Sequence, residues 1–155
     1  MAEWLKAHDS KSCKQQCFGG SNPLASAREY NMTTIFEKII NGEIPCYKIY
    51  EDEKTFAFLD INPETTGHTL VVPKKAVDKL YELSDEDYEA VFRTVKKVMK
   101  RVEEVFGARA LLKVVGTDVP HAHVHITHLD DNWEHGKFLK LTDAEMQEIC
   151  DKLKF

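Results

Sequence analysis

The segment His121-Ala122-His123-Val124-His125-Ile126-Thr127 sets histidine at every second position, with apolar residues between. In an extended chain successive side chains point to opposite faces, so His121, His123 and His125 share one face and Ala122, Val124 and Ile126 the other. The reading is a buried strand, spanning about residues 121–127, with a row of imidazoles on one side. A bland alternative, a half-exposed strand whose polar face happens to be histidine, fits less well. Imidazole changes charge near neutral pH and serves as nucleophile, acid, base or metal ligand, so three on one face point to chemistry.

Around that segment the chain of 155 residues is long enough for one domain with a substantial core. Its net charge of −5 provides no broad basic surface, so nucleic acid is not an expected partner. No apolar run approaches the ~18 residues of a membrane span, and the start lacks an apolar secretory core. No membrane association is expected, and the cytosol is the expected compartment. Four scattered cysteines, Cys13, Cys17, Cys46 and Cys150, read as free thiols rather than a disulfide framework.

Residues 1–31 hold little apolar periodicity and read as an N-terminal appendage, flexible or added, before a domain over 32–155. Within them His8, Cys13 and Cys17 make an incomplete metal-ligand set. From Thr34, Ile35, Phe36, Ile39 and Ile40 recur at helical spacing, ended by Asn41-Gly42. Strands are expected over about 46–50, 55–61 and 68–72, forming an antiparallel meander that stops at Pro73. Ser84 and Asp87 begin a long helix whose apolar stripe runs through Tyr88, Val91, Phe92, Val95, Val98, Met99, Val102, Val105 and Phe106, with Gly107 at its end. That stripe reads as core, part of it available to a second copy. A strand over about 110–115 leads to the histidine strand, and Thr142 and Glu145 cap a short last helix. The class is α+β.

Four blocks in this order resemble one family. They are Thr34 to Pro45 (TIFEKIINGEIP), Phe58 to Pro63 (FLDINP), Gly67 to Lys75 (GHTLVVPKK) and Val119 to Ile126 (VPHAHVHI). Together they resemble the histidine triad (HIT) superfamily, in its branch of nucleotide-binding and nucleoside phosphoramidase-like proteins. The resemblance implies a five-stranded antiparallel sheet with a long helix and short flanking helices, and a homodimer joined through a strand and the long helix. It implies hydrolysis at the α-phosphorus of a purine nucleoside phosphoramidate, with no cofactor. By the same resemblance His123 is the nucleophile, His121 and His125 tune it, and His68 is a fourth histidine of the site. Asp60 matches the carboxylate that holds the ribose hydroxyls, while Ile61, Phe36 and Ile39 would enclose an AMP-type base. Phe58 is better read as core. The transferase branch has glutamine at the position of His125, so histidine there favours hydrolysis.

The match departs from the family where the phosphate should lie. A Gly-Gln pair usually precedes the triad, whereas here the stretch is Gly116-Thr117-Asp118. Thr117 can still donate a hydrogen bond, and the Asp118 anion would disfavour highly charged polyphosphates. After the triad the usual arginine is absent, and His128, of opposite strand parity, reads as structural or exposed. The tail 132–136 with Trp133 reads as locally packed or folded over the substrate. At the positions where zinc-bearing members place ligands, this chain has Thr34, Glu37 and Ala76, so no structural metal is expected.

Other readings stay open on sequence grounds: a dinucleoside polyphosphate hydrolase, a low-activity nucleotide-binding regulatory module, and a metalloprotein using the alternate histidines.

Overall fold

Thr34 has an extended backbone, φ −68° and ψ 160°, and caps the helix that follows it. Its hydroxyl accepts the Glu37 N–H at 3.2 Å, and the Glu37 carboxylate accepts the Thr34 N–H at 2.7 Å, a reciprocal capping box. The computed structural model of the protein describes residues 33–129 and 137–155. The readings made for residues 1–31, and for 132–136, fall outside them. The order is α1 (Ile35–Ile40), β1 (Lys48–Glu51), β2 (Thr55–Leu59), β3 (Thr69–Pro73), α2 (Asp85–Phe106), β4 (Ala110–Lys113), β5 (Val124–His128) and α3 (Asp143–Leu153). A turn of 3-10 helix over Leu80–Glu82, not expected from the sequence, precedes α2.

The five strands form one antiparallel sheet in the order β1-β2-β3-β5-β4. The chain leaves the sheet after β3, crosses it as α2, and returns with β5 inserted between β3 and β4. This places β5, the strand with the histidines, at an inner position where both edges are hydrogen-bonded.

Side-chain parity then assigns two faces. Ala57, Leu59, Val71, Val124 and Ile126 point to a core shared with Val91, Val95, Val98 and Val102 of α2 and Met146, Ile149 and Leu153 of α3. A fully buried aliphatic side chain contributes ~1.5–3 kcal/mol, so this layer supplies the main stabilisation. Phe56, Phe58, Leu70 and Val72 point the other way and pack under Phe36 of α1. The histidines lie on this second, thinner face. Along α2 the expected stripe holds except at Tyr88, which is exposed, while Thr94 replaces it inside, with its hydroxyl 2.8 Å from that of Thr55. No helix among the described residues is long and apolar enough to cross a membrane.

The histidine strand begins later than its alternation suggests. Ala122 donates its N–H to the Val77 carbonyl at 2.7 Å, and His121 donates its own to Val119 at 2.8 Å. Those bonds lie outside the sheet ladder, so His121 to His123 enter β5 as a shaped approach rather than as regular strand. β4 is shorter than expected: Val114 and Val115 run on past its last pair, Lys113 with His125.

Candidate active site

Three imidazoles of the segment are held in three different ways, and each hydrogen-bond partner fixes where the proton sits. His121 is fully buried. Its Nε2 lies 2.9 Å from the Pro73 carbonyl oxygen, which can only accept, so Nε2 carries the proton. Its Nδ1, 3.1 Å from the Thr34 hydroxyl, is then the acceptor. Both nitrogens are thus committed between the end of β3 and the cap of α1. Burial holds its pKa below the usual histidine value, and the ring stays neutral.

His123 is 4 % exposed, and its Nδ1 lies 2.6 Å from the carbonyl oxygen of His121. The carbonyl again fixes the proton on Nδ1, which leaves a lone pair on Nε2. Among the described residues no protein group takes that lone pair. The edge of the Phe36 ring packs against both rings, with centroids 5.8 Å from His121 and 5.2 Å from His123. A cavity of about 310 Å3 adjoins His123, lined by Asp78 to Tyr81, Val114 to Gly116 and Ala122.

His125 and His68 form a pair, with His68 Nε2 3.0 Å from His125 Nδ1. The Glu64 N–H donates to His68 Nδ1 at 3.2 Å, so that nitrogen carries the lone pair and Nε2 the proton. His68 therefore donates to His125, whose own proton is left on Nε2. Desolvation, the positive charge His125 would carry and that of Lys113 push His68 down to about 3. Burial, followed by His123 and Lys113, pushes His125 down to about 4. At neutral pH both rings are neutral, and the direction of the bond between them is defined.

Asp60 follows β2, with one carboxylate oxygen accepting the Asn62 N–H at 2.9 Å and the other 3.8 Å from His68 Nδ1. Burial raises its pKa, the cost of a carboxylate held at the edge of an apolar layer. Asp60, His68 and His125 each offer a ligand atom, all within 4.8 Å of one another. A cation there would compete with the hydrogen bond between the two histidines.

The residues expected at the site therefore fall into groups. Phe36, His121 and His123 touch one another, and Asp60, His68 and His125 form a second cluster, joined to the first through the His123 and His125 rings, 4.9 Å apart. Ile39 packs half-buried against the phenylalanine layer, while Ile61 is 75 % exposed. Gly116 lines the cavity beside His123 in a left-handed turn, φ +67°. Thr117 and Asp118 lie on the surface, the hydroxyl donating to the carboxylate at 3.2 Å. His128 faces the opposite core, stacked on Phe106 with centroids 4.6 Å apart, which makes it structural and not exposed.

Sequence reasoning missed three participants: the Thr34 hydroxyl on His121, and the ion pair of Lys113 with Glu64 beside the His68 and His125 pair. Lys113, a charge at an inward position of an apolar strand, was the one signal in the sequence that pointed toward them.

A buried histidine row on the inner strand of an antiparallel sheet, one ring of which is held with a bare Nε2, defines a histidine triad protein. Residues 41–132 match the model of the HIT domain. A HIT-like protein of Methanocaldococcus jannaschii is 38 % identical over 126 residues, which cover 77 % of this chain and 98 % of that one. The adenosine 5'-monophosphoramidase of Schizosaccharomyces pombe is 41 % identical over 97 residues, covering 61 % and 73 %. The crystal structure of a HIT-like protein involved in cell-cycle regulation from Bartonella henselae superposes with a TM-score of 0.74 at 32 % identity, over 80 % of this chain and 96 % of that one. The chain belongs to the HIT family of nucleotide-binding proteins and hydrolases.

Proposed function

We propose that the protein hydrolyses purine nucleoside phosphoramidates at the α-phosphorus, through a nucleotidyl-histidine intermediate on His123. The observation that carries this reading is the 2.6 Å contact between His123 Nδ1 and the His121 carbonyl, which leaves Nε2 as the bare nucleophile. Nε2 forms a bond to phosphorus as the bond from phosphorus to the leaving nitrogen breaks. The amine departs with a proton taken up from solvent, while the neutral His125 ring, held by His68, donates a hydrogen bond from Nε2 to the leaving nitrogen. Water then adds to phosphorus as its bond to His123 breaks and gives one proton back to solvent, releasing the nucleotide and the free His123 ring. Asp60 takes the ribose hydroxyls, Ile61, Phe36 and Ile39 border the base, and Gly116 gives the phosphate room beside His123. Thr117 supplies one donor at that end once its hydroxyl turns from Asp118. His121 acts as a positioning residue, since both its nitrogens are committed.

Similarity to the monophosphoramidase supports an AMP-type substrate. His123→Ala tests the reading: release of AMP from adenosine phosphoramidate falls by at least about a thousandfold while AMP binding persists. Unchanged turnover in that variant would overturn it.

The exposed Thr117 and Asp118 pair offers an anion where the family resemblance implies an amide, which weighs against a dinucleoside polyphosphate hydrolase. A dinucleoside polyphosphate is then a poor substrate, and Asp118→Asn raises its turnover relative to the phosphoramidate. Tight AMP binding with no turnover of either would identify a nucleotide-binding regulatory module instead.

A homodimer fits the same molecule. β4 is an edge strand, Leu112 is exposed on it and Val114 and Val115 just beyond it, and a groove between it and α2 is lined by Phe92, Val95 and Met99. A second copy pairing along β4 would cover this surface. A cytoplasmic location belongs to the same reading, and the free thiols of Cys46 and Cys150 suit a reducing compartment.

A further inference from the structure

Lys113 is the cross-strand partner of His125, so its side chain leaves β4 on the histidine face. Instead of extending into solvent its ammonium binds the carboxylate of Glu64, whose side chain is 6 % exposed. Glu64 sits in the connection between β2 and β3, four residues before His68, and its backbone N–H is the donor to His68 Nδ1. Four groups thus form a closed circuit: Lys113 to Glu64, Glu64 to His68, His68 to His125, and His125 across the ladder to Lys113. Desolvation largely offsets the attraction within so covered an ion pair, so stability alone is a poor account of it.

The same His68 nitrogen has a competitor for its proton. Asp60 places a carboxylate oxygen 3.8 Å away, and that anion favours a proton on Nδ1. The Glu64 amide favours the opposite arrangement, because a donor cannot face a protonated nitrogen. While Glu64 is anchored, the His68 proton is on Nε2 and the His125 proton on Nε2. Were the amide to withdraw, the His68 proton would move to Nδ1, His125 would donate to His68, and His125 Nε2 would lose its proton.

We propose that the Lys113 and Glu64 ion pair is a positioning element that sets the direction of the hydrogen bond between His68 and His125, and so keeps His125 Nε2 protonated as a donor. That donor's use on a leaving group rests on the hydrolase reading above. The orientation itself does not.

Histidine ring nitrogens carry distinct 15N NMR signals with and without a proton, and they can be read in the full chain without any nucleotide. In the unsubstituted protein His68 and His125 each give the pattern of a proton on Nε2. In Glu64→Gln and in Lys113→Met the His68 pattern moves toward a proton on Nδ1, and Lys113→Arg restores the original one. With adenosine phosphoramidate the first two variants lose roughly tenfold in kcat, with KM within about twofold. Unchanged ring-nitrogen signals in folded Glu64→Gln or Lys113→Met protein overturn the proposal, as does tenfold lower kcat without any tautomer change. Should Lys113→Met fail to fold, the nearly isosteric Glu64→Gln decides alone. An unsubstituted protein that turns over no phosphoramidate would sink the hydrolase reading while leaving the NMR result standing.

Discussion

The Nδ1 of His123 and the carbonyl oxygen of His121, two residues earlier in the same chain, are 2.6 Å apart. A contact this local is set by the backbone path into β5, and that path is held by the Ala122 bond to Val77 and the His121 bonds to Thr34 and Pro73. The tautomer of His123 is therefore a property of the fold at this point. The pair of His68 and His125 differs, because its proton direction depends on the Glu64 amide, which Lys113 of β4 anchors from far away in sequence.

Thr34 links the first helix to this arrangement. Its hydroxyl accepts the Glu37 N–H as the cap of α1 and donates to His121 Nδ1. Thr34→Val should lose about 1–2 kcal/mol in urea unfolding, from the lost cap and the unsatisfied His121 nitrogen, and turnover should fall with it. Thr34→Ser keeps the hydroxyl and should stay within about 0.5 kcal/mol of the parent. Equal stability of the valine variant would remove Thr34 from the account.

Acid should destabilise the protein well before its carboxylates titrate. His68 and His125 are held at about 3 and about 4, and His121 is lowered by burial, against an ordinary 6.5. Above pH 6.5 neither state is protonated and their contribution is complete. Below it the unfolded chain takes up protons that the folded chain refuses, so each pH unit costs up to about 1.4 kcal/mol per imidazole. Asp60 works the other way, from its ordinary value of 3.8 up to its raised one. The melting temperature should fall steadily from pH 7 to pH 5, and His68→Asn should flatten the slope. A flat profile for the parent would contradict the neutral, buried pair.

Much of this was legible because local rules and tertiary packing agree. The caps at Ser84 and Thr142, the glycine ending α2 and the apolar stripe along it gave element order and two helix starts, and the helical spacing from Thr34 gave the third. The alternation in 121–127 gave the shared face of the histidines, though not the entry of His121 to His123 before the ladder, which depends on Val77 and Val119 carbonyls. Nor could spacing place Thr34 against His121, or Lys113 against Glu64, since those contacts exist only once the sheet brings α1 and β4 over the histidine face. Thr94 escaped notice for a similar reason: a buried hydroxyl in an apolar stripe makes sense only beside Thr55.

Gly67, one residue before His68, has no room for a side chain. At φ +77° a Cβ there would meet the Phe106 ring at 2.6 Å and Leu153 at 3.1 Å. Phe106 is itself stacked on His128 and cannot turn aside freely. Gly67→Ala should cost about 2–4 kcal/mol from strain and overpacking together, measured by chemical denaturation. A loss under about 0.5 kcal/mol would show that the β2 to β3 connection yields easily, against the rigid placement of His68 described above.

During turnover His123 Nε2 should become bonded to phosphorus. Protein mixed with excess adenosine phosphoramidate, denatured in alkali after a few milliseconds and digested, should yield one peptide carrying an adenylyl group on His123, stable in alkali and lost in acid. The adduct should be missing from His123→Ala. Turnover with no adduct at any time, or an adduct on another residue, would contradict the account.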